Sequence, residues 1–187
     1  MDDKDKIDFL MNYLKQLNGM KYVMVTPETD HLVINGPPFW NDSTKPLPAP
    51  EIIYSLGSCC TALANIVRRL NGLAIPGNIS NISKEKCVGG TDSWFKYLIT
   101  EKRLHKINSA KVYPKGTLLL QDYNHYDQGH IALVFDSDNT LLNSKIIHNI
   151  GSNEKKYNKV VIEKFGDYTN YQRFTHICNP EDWILRL

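Results

Sequence analysis

Ile7, Leu10, Met11, Leu14 and Leu17 recur at three- and four-residue intervals and stop at Asn18-Gly19, which predicts an amphipathic helix with one apolar stripe. A second stripe, Leu63, Ala64, Val67 and Leu70, belongs to a helix predicted from Cys60 to a stop at Asn71-Gly72, with Asn65, Arg68 and Arg69 lying off it. A further helix is predicted near Asp92–Glu101. Beyond residue 114 the pattern changes. "KGTLLLQD", "GHIALVFD", "NTLLNSKIIHN", "KVVIEKF" and "YQRFTHI" read as short strands separated by polar turns. Helices first and strands later predict an α+β fold, with N-terminal helices packed on an antiparallel sheet.

Between the first two helices the periodicity is lost. Tyr22–Val25 is a brief β-like run, and the prolines of "TPETDHLVINGPPFWNDSTKPLPAPE" argue against regular structure except a short strand at His31–Asn35. A long ordered loop is predicted over residues 26–52, and loops of that length commonly carry function.

Composition narrows the classes of function. A chain of 187 residues with 42% apolar side chains supports one globular core, so a single domain over 1–187 is expected. The 22 basic and 20 acidic side chains are scattered and sum to a formal charge of +2. No basic stripe points to nucleic acid or anionic membrane as a partner. The opening "MDDKDKIDF" has no apolar core of a secretory signal, and no later segment is long enough to span a bilayer, so a soluble, cytoplasmic protein is expected. The four cysteines (Cys59, Cys60, Cys87 and Cys178) are too sparse for a disulfide scaffold. The vicinal pair is poorly placed to bridge to itself, which suits reduced thiols.

Candidate chemistry begins at Cys60. A cysteine attacks carbonyl carbon as its thiolate, and a helix N-terminus or a nearby imidazole favours that form. With Ser58 as N-cap, Cys60 would fall in the first helical turn, whose unpaired N–H groups favour negative charge and could stabilise an oxyanion. His130 opens the strand "GHIALVFD", and a hairpin would bring His148 of the next strand beside it to orient the ring, with Asn143 and Asn149 as alternatives. Each residue also has a plainer reading. Cys60 could be a small core residue, His130 a strand-end histidine bonded to a loop carbonyl, and His148 a solvated strand terminus. Cys59 faces about 100° away from Cys60 on a helix and reads as packing; Cys87 and Cys178 read as structural. Zinc fits poorly: Cys59, Cys60, His125, His130 and His148 offer adjacent cysteines and a single H-x4-H, not the paired spacings of structural sites.

Taken in order, these segments resemble the NlpC family of papain-like cysteine peptidases, to which the CHAP amidases are related. The resemblance is carried by "CCTALANIVRRLNG", with Gly72 twelve positions after Cys60, then "YPKGTLLLQD", "GHIALVF" and "KIIHNI". It implies a papain-like fold with Cys60 as nucleophile, His130 as base and His148 as the third member. Tyr22, in "LNGMKYVMV", would line the oxyanion site. The likeness covers about residues 8–150. The family's D-C-S-G is here Cys59-Cys60-Thr61-Ala62, its W-G-G after the tyrosine is absent, and the interval from Tyr22 to Cys60 is longer than the family's. The resemblance further implies cleavage of peptide or amide bonds without metal or organic cofactor, with peptidoglycan-like cell-wall peptides as the family's commonest substrate. A cytoplasmic enzyme of this kind would meet cell wall through a virion or another non-classical route. Rival expectations are an isopeptidase or acyltransferase of similar fold, and a catalytically inactive binding module.

Overall fold

The computed structural model describes residues 2–23, 46–76, 89–121, 129–152 and 156–185. Helix α1 (Asp3–Gln16) starts where the Asp2 carboxylate accepts the Asp5 backbone N–H at 2.7 Å, and it buries Leu10, Met11 and Leu14 on its predicted stripe. Helix α2 (Pro50–Leu56) revises the predicted loop over 26–52. Pro50 opens the helix, because its fixed φ and missing N–H suit a first turn. Residues 24–45, including the expected strand at His31–Asn35, lie outside the described residues. Helices α3 (Ala62–Leu70) and α4 (Thr91–Thr100) follow.

The C-terminal half supplies β1 (His105–Lys106), β2 (Leu118–Gln121), β3 (His130–Asp136), β4 (Lys145–Ile150), β5 (Lys159–Lys164) and β6 (Phe174–Cys178). They form one antiparallel sheet in the order β1-β6-β2-β3-β4-β5. The fold is therefore α+β. Alternation along the strands divides the core in two. Leu118, Leu120, Ile131, Leu133, Ile147 and Val160 face α1, α3 and α4. Leu119, Ala132, Val134 and Ile146 face away, toward Phe165, Tyr168 and Phe174. Two single-turn helices, Phe165–Asp167 and Tyr171–Arg173, bring those rings over the second face. Burial on both faces explains why β2 and β3 read as nearly unbroken apolar runs.

The turn carrying Trp183 closes the helical face. Trp183 is fully buried, meets Trp94 edge-on at 5.7 Å and donates from Nε1 to the Gly116 carbonyl at 3.0 Å. Arg68 of α3 donates to the Trp183 carbonyl at 3.1 Å and to the Ala74 carbonyl at 2.6 Å, with its guanidinium 5.1 Å from the Tyr97 ring centre. A buried cation thus joins α3, α4 and the C-terminal turn.

Gly57 links α2 to the segment that carries the cysteines. Its neighbour Ser58 pairs with the chain after α1: Ser58 N–H donates to Lys21 at 3.0 Å, and Val23 N–H donates to Ser58 at 2.9 Å. Gly57 has φ +75° and ψ 175°, a conformation open essentially to glycine alone. A Cβ there would stand 2.7 Å from the Lys21 carbonyl oxygen and 2.8 Å from Val23 Cγ2. Gly57→Ala is therefore expected to lower stability by about 1–3 kcal/mol. Gly72→Ala, also at positive φ but with nothing within 4 Å of the new Cβ, should cost less. Urea midpoints of the two variants check the order.

Candidate active site

The β3–β4 register sets Ala132 opposite His148, and the β4–β5 register sets Ile146 opposite Glu163. Alternation then puts His130, His148 and Glu163 on one face of three adjacent strands. His130 Nε2 lies 2.9 Å from His148 Nδ1, and His148 Nε2 lies 2.9 Å from Glu163 Oε1. The Tyr157 hydroxyl donates to Glu163 Oε2 at 3.5 Å, and Lys156 Nζ is 3.9 Å from the same oxygen. Both imidazoles are buried among aromatic rings. His148 meets Tyr168 edge-on at 4.8 Å, and His130 stands 5.7 Å from Phe174.

Burial governs their protonation. It holds His130 well below the ordinary histidine range, with the neighbouring His148 adding to the effect. It also lowers His148, against the raising influence of the Glu163 hydrogen bond and charge. Both rings are neutral at pH 7. Of the three groups expected to orient His130, His148 is the one bonded to it. Asn143 sits in the β3–β4 turn with its amide on Asn139 Oδ1 at 2.8 Å. Asn149 points to the helical face, where Nδ2 donates to the Ser58 carbonyl at 2.6 Å and the Cys59 carbonyl at 3.3 Å.

Cys60 occupies a turn ahead of α3, which corrects the expectation that it lies in the first helical turn with Ser58 as cap. The N-cap is Thr61, without a side-chain capping bond. Ser58 is held in extended pairing with Tyr22, its carbonyl accepts from Asn149 Nδ2, and the Cys59 carbonyl is shared between Asn149 Nδ2 and the Ala62 N–H, both at 3.3 Å. The Cys60 thiol is pushed up to about 12, first by burial and then by Cys59. The Thr91 hydroxyl and the backbone N–H groups of Cys60 and Thr61, hydrogen-bonded to the sulfur, act in the opposite direction and favour the thiolate. Burial dominates, so the resting thiol keeps its proton. Tyr22 is raised by burial, then by Cys60 and Cys59, which makes its phenol a protonated neighbour of the thiols. Its ring lies flush against Gly151, where a Cβ would be 2.5 Å from Tyr22 Cε1.

The residues expected to form one cluster thus form two groups. His130 and His148 lie with Glu163 on the aromatic face of the sheet, whereas Cys60 lies near Tyr22 and Thr91 in the segment ahead of α3, on the helical side. His130 stands at the end of the sheet where β3 begins and β4 ends, the end to which the Cys60 segment is tied. There Asn149, next to His148 in the chain, is bonded to the carbonyl preceding Cys60. Cys59 is half-buried, with its sulfur 3.3 Å from Thr61 Oγ1, and Cys178 is buried. Cys87 and His125 lie outside the described residues. Among the described residues no group of three or more His, Cys, Asp or Glu side chains is placed to hold a metal ion. No helix among them is long and apolar enough to cross a membrane.

Glu163 and Thr91 were not singled out from the sequence. Glu163 stands two positions after Val161 in "KVVIEKF", so alternation shows that they share a face but not which ring that face meets. Comparison of the chain with family models, curated proteins and solved structures finds no match.

Burying two neutral imidazoles links stability to pH. The unfolded chain takes up protons on both as pH falls through about 6.5, while the folded chain resists until lower pH. Their contribution is fully present above that value. Below it, each costs up to about 1.4 kcal/mol per pH unit until its folded value is reached. Urea midpoints at pH 7.5 and 5.0 should differ more for the wild type than for His130→Gln.

Proposed function

We propose that the protein is a papain-like cysteine hydrolase of the NlpC type, cleaving peptide or amide bonds, with peptidoglycan-like peptides as the substrate class. The observation that carries the reading is the hydrogen-bonded chain from His130 through His148 to Glu163, which engages His130 at Nε2 and, among the described residues, leaves its Nδ1 unengaged at the end of the sheet where the Cys60 segment is tethered. A neutral imidazole and a protonated thiol together suit general-base catalysis rather than a preformed ion pair.

In this reading His130 takes the Cys60 proton as the sulfur bonds to the carbonyl carbon. The oxyanion is met by backbone N–H groups at the front of α3 and by the Tyr22 hydroxyl. The carbon–nitrogen bond breaks as the amine takes the proton from His130. Water, deprotonated by the same imidazole, then hydrolyses the thioester and restores the thiol. His148 is a positioning residue, and the reaction as written needs neither metal nor organic cofactor. It requires the sulfur and the free His130 nitrogen to meet round the start of β3.

A second reading, a binding module that keeps the fold without turnover, is favoured by the thiol pushed up to about 12 and by imidazoles that face away from the helices. Iodoacetamide labelling at pH 7.5, followed residue by residue by mass spectrometry, separates the two. The hydrolase reading expects Cys60 to label faster than Cys59, and His130→Ala to slow Cys60 about 100-fold, the lower end of what a general base contributes. Equal rates at the two cysteines, unchanged in His130→Ala, establish the module instead. Peptidoglycan fragments incubated with wild type and Cys60→Ala then test the substrate class by the appearance of new amino termini.

A further inference from the structure

We propose that Glu163 is a positioning residue that fixes, through His148, which nitrogen of His130 is free to receive a proton. Its catalytic purpose rests on the cysteine-hydrolase reading, whereas its geometry stands without it. A carboxylate oxygen can only accept a hydrogen bond, and Glu163 Oε1 is 2.9 Å from His148 Nε2. That nitrogen must therefore carry the hydrogen of the neutral ring, which leaves His148 Nδ1 as a bare acceptor. The bare nitrogen lies 2.9 Å from His130 Nε2, so the His130 hydrogen is on Nε2. The one basic position left on His130 is Nδ1.

The opposite pair of tautomers would set the bare Nε2 of His148 against the carboxylate, lone pair to lone pair. His148 is fully buried, so solvent cannot relieve that contact. Glu163 is in turn held from its other oxygen by the Tyr157 hydroxyl, with the Lys156 ammonium nearby. When His130 accepts a proton on Nδ1 it becomes a cation whose Nε2–H still points to His148. The charge is then stabilised through two hydrogen bonds ending on a carboxylate, and no second proton has to move.

The imidazole 15N shifts of the full-length labelled protein at pH 7.5 read the tautomers directly. We expect both His130 and His148 to carry hydrogen on Nε2. A side-chain amide at position 163 can donate, so Glu163→Gln should convert a measurable share of both rings to the Nδ1–H form and slow iodoacetamide labelling of Cys60 in proportion, about two-fold if half of His130 is converted. Glu163→Asp, which keeps an acceptor, should retain the wild-type tautomers if it reaches His148. Hydrogen on Nδ1 of His130 in the wild type overturns the proposal, and so do unchanged tautomers in Glu163→Gln. The wild-type spectrum decides the question even if the variants fold poorly. If the wild-type tautomers are as expected but His130→Ala leaves Cys60 labelling unchanged, the hydrolase reading fails and the tautomer lock stands.

Discussion

A hydrogen bond between two neutral imidazoles, shut away from water, is the constraint around which the sheet is arranged. Each ring nitrogen in such a place must find a partner or leave a polar group stranded at a cost of about 1–3 kcal/mol. Here one side of the pair is satisfied by register. Ala132 stands opposite His148 and Ile146 opposite Glu163, so that a slip of one residue in either pairing would turn the side chains to opposite faces. The aromatic rings over that face remove water and keep the imidazoles uncharged.

The cysteine segment is positioned by different means. Its backbone is clamped rather than packed: Tyr22 and Ser58 pair in extended form, Gly57 supplies a bend that other residues would resist, and the Asn149 amide holds two successive carbonyls. These contacts explain why α3 begins at Ala62. They also make β4 a two-sided element, because His148 belongs to the buried relay while its neighbour Asn149 belongs to the clamp. Any displacement of β4 would be felt by both.

Much of the fold was legible in the sequence because its periodicities are clean. The stripe from Ile7 to Leu17, the strand runs from Leu118 onward and the pairing of His130 with His148 all follow from spacing, since a hairpin with alternating side chains leaves few choices. What spacing could not convey was long-range. Glu163 enters the site through the β4–β5 register, which depends on the length of a turn that carries no strong sequence signal. The start of α3 is hidden in the sequence because Ser58 resembles a cap, and the asparagine that engages its carbonyl lies 91 residues away. The face on which the imidazoles sit was equally hidden, since β3 is buried on both sides and its alternation does not distinguish helices from aromatic rings.

The order of strands also bears on how the chain assembles. β6, the last of these strands in chain order, slots between β2 and β1, and among the described residues β1 has no other neighbour in the sheet. A nascent chain can zip the meander from β2 to β5 early, through local hairpins. It must then hold an unfilled edge on β2 until β6 has been made. Completion of the sheet thereby waits for β6, and a product broken off before it would carry an open, adhesive strand beside its hydrophobic interior.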